Sequence, residues 1–200
     1  MRPARALGPA IAIVLAVVGA LVLTRDGDEP VEATTTTTAA QPVAVTSDAP
    51  TVATLAELVA SADVVLRGEV TSTAHGRLFG EPGSGAVESR LVTVRVDEVL
   101  AGEAPSEPEL VVEEEGWLED GTPIVVDGAA PSAPGDGAIW FLDAVGTDEL
   151  PVYVAVSAQG RYLVVDGELV GAAGDDPLVA ELAALSPAEL QAAIAAVPSA

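Results

Sequence analysis

In Asp63–Thr71 and again in Ser89–Val99, apolar residues recur at every second position, and this period confines the chain to β-structure. Val64, Leu66, Gly68 and Val70 share one face, with Arg67, Glu69 and Thr71 on the other. Val92, Val94 and Val96 alternate in the same way against Thr93, Arg95 and Asp97 within a strand expected from Ser89 to Val99. A Gly/Pro/Ser-rich loop over 76–85, with His75 at its edge, is expected to join the two, and Gly102 marks a turn. Further strands are read at Leu110–Val112, Ile124–Val126 and Val152–Val156. Ala138–Leu142 is apolar on both faces, as in a central strand covered on each side. Tyr162–Val165 and Glu168–Val170 flank Asp166-Gly167, a two-residue hairpin signal.

Helices are expected at the ends of this run. Thr54 and Glu57 have the spacing of a capping box ahead of Leu55, Leu58 and Val59. Asp176-Pro177 opens a second helix with Leu178, Val179, Leu182 and Leu185 on one side. Ser186-Pro187-Ala188-Glu189 opens a third, carrying Leu190 and Ile194. The fold class that follows is mainly β: a small OB-like antiparallel barrel with flanking helices, preceded by one N-terminal hydrophobic helix and a disordered linker.

The chain divides by composition. Residues 1–25 read as a signal anchor: Arg2 and Arg5 precede an uncharged run, Ala6 to Leu23, which as a helix spans about 27 Å against a hydrocarbon core of about 30 Å. A cleaved signal would have a shorter apolar core. Its best site, Val18-Gly19-Ala20, would leave Leu21-Val22-Leu23 behind, so an uncleaved anchor is favoured over a secreted product. The positive-inside rule puts the N-terminus in the cytoplasm and the remainder outside, because Asp26, Asp28, Glu29 and Glu32 follow the run. Residues 26–50, with Thr34–Thr38 unbroken and Pro30, Pro42 and Pro50 around it, read as a disordered linker. Residues 51–175 form the barrel domain and 176–200 a C-terminal helical segment.

Charge and composition narrow the function. The chain has 31 acidic residues against 8 basic ones and a formal charge of −23. Five arginines face 26 carboxylates from Thr51 on, so nucleic acid is not an expected partner. With no Cys, there is no disulfide framework, thiolate metal site or cysteine nucleophile. Lys is absent too, which removes Walker-type phosphate loops and Schiff-base chemistry. Lys and Asn share A-rich codons and are both missing, while Ala, Val, Gly and Pro abound. A GC-rich genome accounts for this more simply than a saline niche does.

Several residues carry a resemblance. Ala62-Asp63-Val64-Val65-Leu66-Arg67-Gly68-Glu69-Val70, then Val96-Asp97-Glu98-Val99-Leu100-Ala101-Gly102, Gly135-Asp136 leading to Phe141-Leu142, and Gln159-Gly160-Arg161-Tyr162 form a pattern. It resembles a group of uncharacterised secreted or membrane-anchored bacterial proteins. The layout is also similar to the OB-like barrel of netrin-type modules and tissue inhibitors of metalloproteinases. The resemblance spans Leu55 to Gly167 and implies a fold. Those inhibitors chelate the protease zinc through Cys, so that activity is not implied.

Candidate chemistry is sparse. Glu113, Glu114 and Glu115 are candidate ligands for a divalent cation, without EF-hand spacing; a solvated acidic loop, or charges that block edge-to-edge strand pairing, is the competing reading. Trp117, Trp140, Tyr153, Arg161 and Tyr162 are candidates for a ligand or partner surface, although Trp140 also suits a core and Trp117 a loop plug. Gly83-Ser84-Gly85 lacks the nucleophile-elbow pattern, and a lone His75 has no metal-binding partner. No catalytic residue and no cofactor are expected. Paired carboxylates leave a hydrolase as a remote alternative. The expected function is a non-catalytic extracytoplasmic interaction module of the cell envelope, joined to the membrane through its N-terminal helix and possessing an envelope protein as partner. A divalent-cation or small-ligand binding domain is the rival.

Overall fold

The computed structural model describes residues 41–103, 105–146, 151–172 and 175–198. The expected anchor, residues 1–25, and most of the linker lie outside the described residues. Among those described, no single helix is long and apolar enough to cross a membrane.

The elements run β1 (Val43–Val45), α1 (Leu55–Ala60), β2 (Val64–Phe79), β3 (Val87–Gly102), β4 (Glu109–Leu118), β5 (Ile124–Val126), β6 (Gly137–Ala144), β7 (Tyr153–Ala155), β8 (Arg161–Val165), β9 (Glu168–Gly171), α2 (Pro177–Ala183) and α3 (Pro187–Ala195). The sheet order is β2-β3-β4-β7-β6-β8-β9, and β6 also pairs with β2. The ring β2-β3-β4-β7-β6 therefore closes into a five-strand barrel, consistent with an OB-like fold. One edge of β6 pairs with β2. Its other edge is shared, with Gly137–Trp140 on β8 and Leu142–Ala144 on β7.

The barrel is not antiparallel throughout. β4 and β7 run parallel, because the chain reverses between β4 and β6 and again between β6 and β7. The loop read over 76–85 is shorter than expected: β2 continues to Phe79, with the ladder held through His75↔Arg90 and Phe79↔Val87. The linker reading also gives way at its end, since Val43–Val45 pairs in parallel with β5. There Val43 N donates to Pro123 O at 2.9 Å and Asp127 N to Val45 O at 2.9 Å.

Strand periodicity builds two apolar clusters on opposite sides of the same sheet. Val64, Leu66, Val92, Val94, Val112, Ala138, Trp140 and Leu142 fill the barrel. Val65, Ile139, Phe141 and Tyr162 point the other way, onto Leu58 of α1, Leu178 and Leu182 of α2, and Leu190 and Ile194 of α3. The C-terminal helices thus share a core with the strands. Gly68 is set by contact: a Cβ there would lie 2.6 Å from Arg95 O and from Val94 Cγ1, so only a bare backbone lets β3 cross. The Asp166-Gly167 turn takes φ of 53° and 85°, the left-handed pair that a two-residue hairpin of this kind requires.

Candidate functional site

The parallel joint of the barrel is short. Val112 of β4 pairs with Tyr153 of β7, and no further pairing joins these strands among the described residues. Past that point a cleft of about 610 Å³ opens, a volume in the range of small-ligand sites. Glu113–Glu115 and Val154–Ala155 line it from the two strands, followed by Ser157 and Ala158. Arg77, Phe79, Val87 and Ser89 contribute from β2 and β3. Ala129, Ala130 and Pro131 come from the segment after β5, and Ser47 and Ala49 from the segment after β1.

A buried polar network sits beside the cleft. Arg161 opens β8 and is 8% exposed. Its guanidinium donates to Glu114 Oε1 at 2.7 Å, to Ser132 Oγ and to the Ala130 carbonyl. Ser132 Oγ in turn donates to Glu114 Oε1 at 2.7 Å, and Arg90 Nη1 donates to Ser132 O at 3.1 Å. Arg90 also lies 4.6 Å over the Trp117 ring. Its Nε is buried with no partner among the described residues. Burial pushes the Arg90 guanidinium down, Glu114 opposes that shift and Arg161 adds to it. Arg161 pairs directly with the Glu114 carboxylate, and Arg90 joins the network through the Ser132 carbonyl.

The opposite face of β4 carries a second ion pair. Arg77 Nε and Nη2 bind Glu113 Oε1 and Oε2 at 2.9 and 2.6 Å, a bidentate fork. Burial alone would raise the Glu113 carboxyl. Arg77 and the Ser89 hydroxyl outweigh it and hold the group below its ordinary value. Arg77 also stacks 4.6 Å over Phe79.

The acidic run is therefore not a solvated loop. It lies on β4, whose period of two sends Glu113 and Glu114 to opposite faces, each engaged by an arginine. Glu115 is exposed. Among the described residues no three metal-ligating side chains converge. Trp117 is a strand residue rather than a loop plug. Its ring stacks on His75 with centroids 4.2 Å apart, and His75 Nδ1 meets Glu88 at 2.9 Å, so His75 too belongs to β2 and not to a loop.

The five surface candidates do not meet. Trp140 is sealed inside the barrel and Tyr162 in the cluster under the helices, both at 0% exposure. Burial and the nearby Asp176 push the Tyr162 phenol up. Tyr153 is half-buried against the barrel cluster, and Arg161 alone of the five lines the cleft. Sequence reasoning missed Arg77, Arg90 and Ser132. Arg77 fell within the stretch read as a loop, and Arg90 stood in a strand pattern, where cross-strand register would have matched it to Glu114. Ser132 carried no signal, because its partners come from β4 and β8.

No family model matches the chain, and no curated protein matches it.

Proposed function

We propose that the chain is a non-catalytic binding module of the cell envelope, held at the membrane by Ala6–Leu23 with the barrel on the outer side, and that the β4/β7 cleft is its binding surface. The observation that carries this reading is the cleft itself: mostly small apolar walls, with a few ordered polar groups, at the joint where, among the described residues, β4 and β7 pair only at Val112 and Tyr153. Arg161, Glu114, Arg77 and Glu113 are bound to one another, which suits a rigid recognition surface better than a nucleophile or a proton shuttle. The closed five-strand barrel is consistent with the OB-like fold that the resemblance implies. In-cell photo-crosslinking tests it. A photoreactive residue at Ala130, in the cleft, is expected to capture an envelope partner, whereas one at Val170, exposed on β9, captures none. Failure to recover any partner at native expression would overturn the reading. The cleft volume also suits a small organic ligand, a second reading that a saturable rise in melting temperature with such a compound would favour.

A further inference from the structure

We infer that the wedge between β4 and β7 receives an extended polypeptide segment with alternating apolar side chains and one basic residue, paired to the two strands through its main chain. This rests on the cleft being the binding surface proposed above, and it names the kind of partner.

The backbone supplies the first argument. On its inner edge β4 pairs with β3 from Val87↔Leu118 to Arg95↔Glu109. On its outer edge it pairs with β7 only at Val112, and the next bridge is Trp117↔Pro123. The stretch between has no strand partner on that side among the described residues. β7 is in the same position: Val154 and Ala155 pair with Asp143 and Leu142 of β6 on one side, and with no strand on the other. Two parallel strand edges thus flank one cleft. Main-chain N–H and C=O groups are obligatory hydrogen-bonding groups, and an open edge is a template for one more strand. Here an added strand would be paired on both sides.

The walls supply the second. Phe79 and Val87 on one side, and Val126 and Pro131 on another, are apolar, while Ala129 and Ala155 are short. That leaves room for side chains projecting alternately from an inserted strand.

Charge selects the occupant. Glu113 and Glu114 are neutralised by Arg77 and Arg161, but no ion pair or hydrogen bond engages the exposed Glu115 carboxylate among the described residues. With five arginines against 26 carboxylates from Thr51 on, the domain repels an acidic segment and attracts a basic one. The same acidity disfavours a second copy at this edge, since each would bring its own Glu113–Glu115 run.

The test uses the full chain in detergent, biotinylated at its N-terminus, which is the only primary amine in a chain without Lys. A displayed library of random ten-residue peptides is panned against it, and the selected peptide is synthesised with a fluorescent label for polarisation titration. Selected sequences are expected to alternate apolar residues and to carry Lys or Arg. N-methylation at either of two adjacent central residues should weaken binding at least tenfold, because one amide faces β4 and the next faces β7. Glu115→Gln should weaken the basic peptide at least threefold and leave its norleucine-for-Lys analogue unchanged. No enrichment, or N-methylated peptides that bind as well as the parent, would overturn the inference. Cleft crosslinks to a partner in cells without any peptide binding would remove this inference and leave the interaction-module reading standing. Loss of both would remove the two together.

Discussion

Arg161 donates to a carboxylate, a hydroxyl and a carbonyl drawn from β4 and the 130–132 segment, so its removal leaves the half-buried Glu114 beside a single remaining guanidinium, Arg90. Breaking a buried pair from one side costs more than the pair contributes. Arg161→Met is expected to lower the unfolding free energy by about 3 kcal/mol, and Arg161→Met with Glu114→Met by less than the sum of the single changes. Urea denaturation of the four proteins reads this directly, and additive losses would mean that the pair is uncoupled. Glu113 makes a pH prediction. Its carboxyl is held below its ordinary value in the folded protein, so the stability it contributes is present above about pH 4.3 and is lost as pH falls through the folded value. Glu113→Gln carries no such titration. Wild type should therefore lose more stability than Glu113→Gln between about pH 5 and about pH 3, measured by urea unfolding at each pH. Parallel profiles would refute the assignment.

Helix starts are where the elements of this fold are most locally determined. Asp176 accepts from Leu178 N and Val179 N at 2.9 and 3.1 Å and from the buried Gln159 Nε2 at 3.0 Å; Gln159 in turn holds Val52 through both N and O. Ser186 caps α3 through Glu189 alone. Asp176→Ala should thus cost about 2 kcal/mol and Ser186→Ala about 1 kcal/mol in thermal unfolding. Equal losses would mean that the Gln159 contact contributes nothing. These caps, the Asp166-Gly167 turn and the alternation of β2 and β3 were legible in the sequence because each depends on residues a few positions apart. The end of β2 was not. Gly76 looked like a loop, yet a Cβ there would lie 2.2 Å from Ser89 Oγ, so that glycine serves close strand contact. Nor was the cleft legible: it exists because strands about 40 residues apart in sequence pair once, at Val112 and Tyr153, and then stop. Glu113–Glu115 read as a loop because three carboxylates are poor strand formers, and the arginines that neutralise two of them come from β2 and β8.

Across the whole molecule, charge repulsion outweighs charge pairing. Among the described residues three arginines hold carboxylates in ion pairs, Arg77, Arg95 and Arg161, while the sequence carries 26 acidic residues from Thr51 on. Exposed pairs contribute little, so salt should relieve more repulsion than it removes attraction. Raising NaCl from about 0.02 M to about 0.5 M, where the Debye length falls well below 10 Å, is expected to lift the melting temperature by a few degrees. A fall would mean that the ion pairs dominate. The closing turn of the chain onto β5 has a mechanical consequence. Any tension arriving through the residues before Gln41 reaches β1 first, and β1 is three exposed residues long, whereas β2 and β3 of the barrel behind it are 16-residue strands paired to each other. The hypothesis is that β1 acts as a fuse, peeling from β5 under loads the barrel survives and freeing the segment that carries Ser47 and Ala49 along the cleft. A pull on the N-terminus in an optical trap should then show a small early extension before the main rupture; a single rupture would mean that the strap yields no sooner than the barrel.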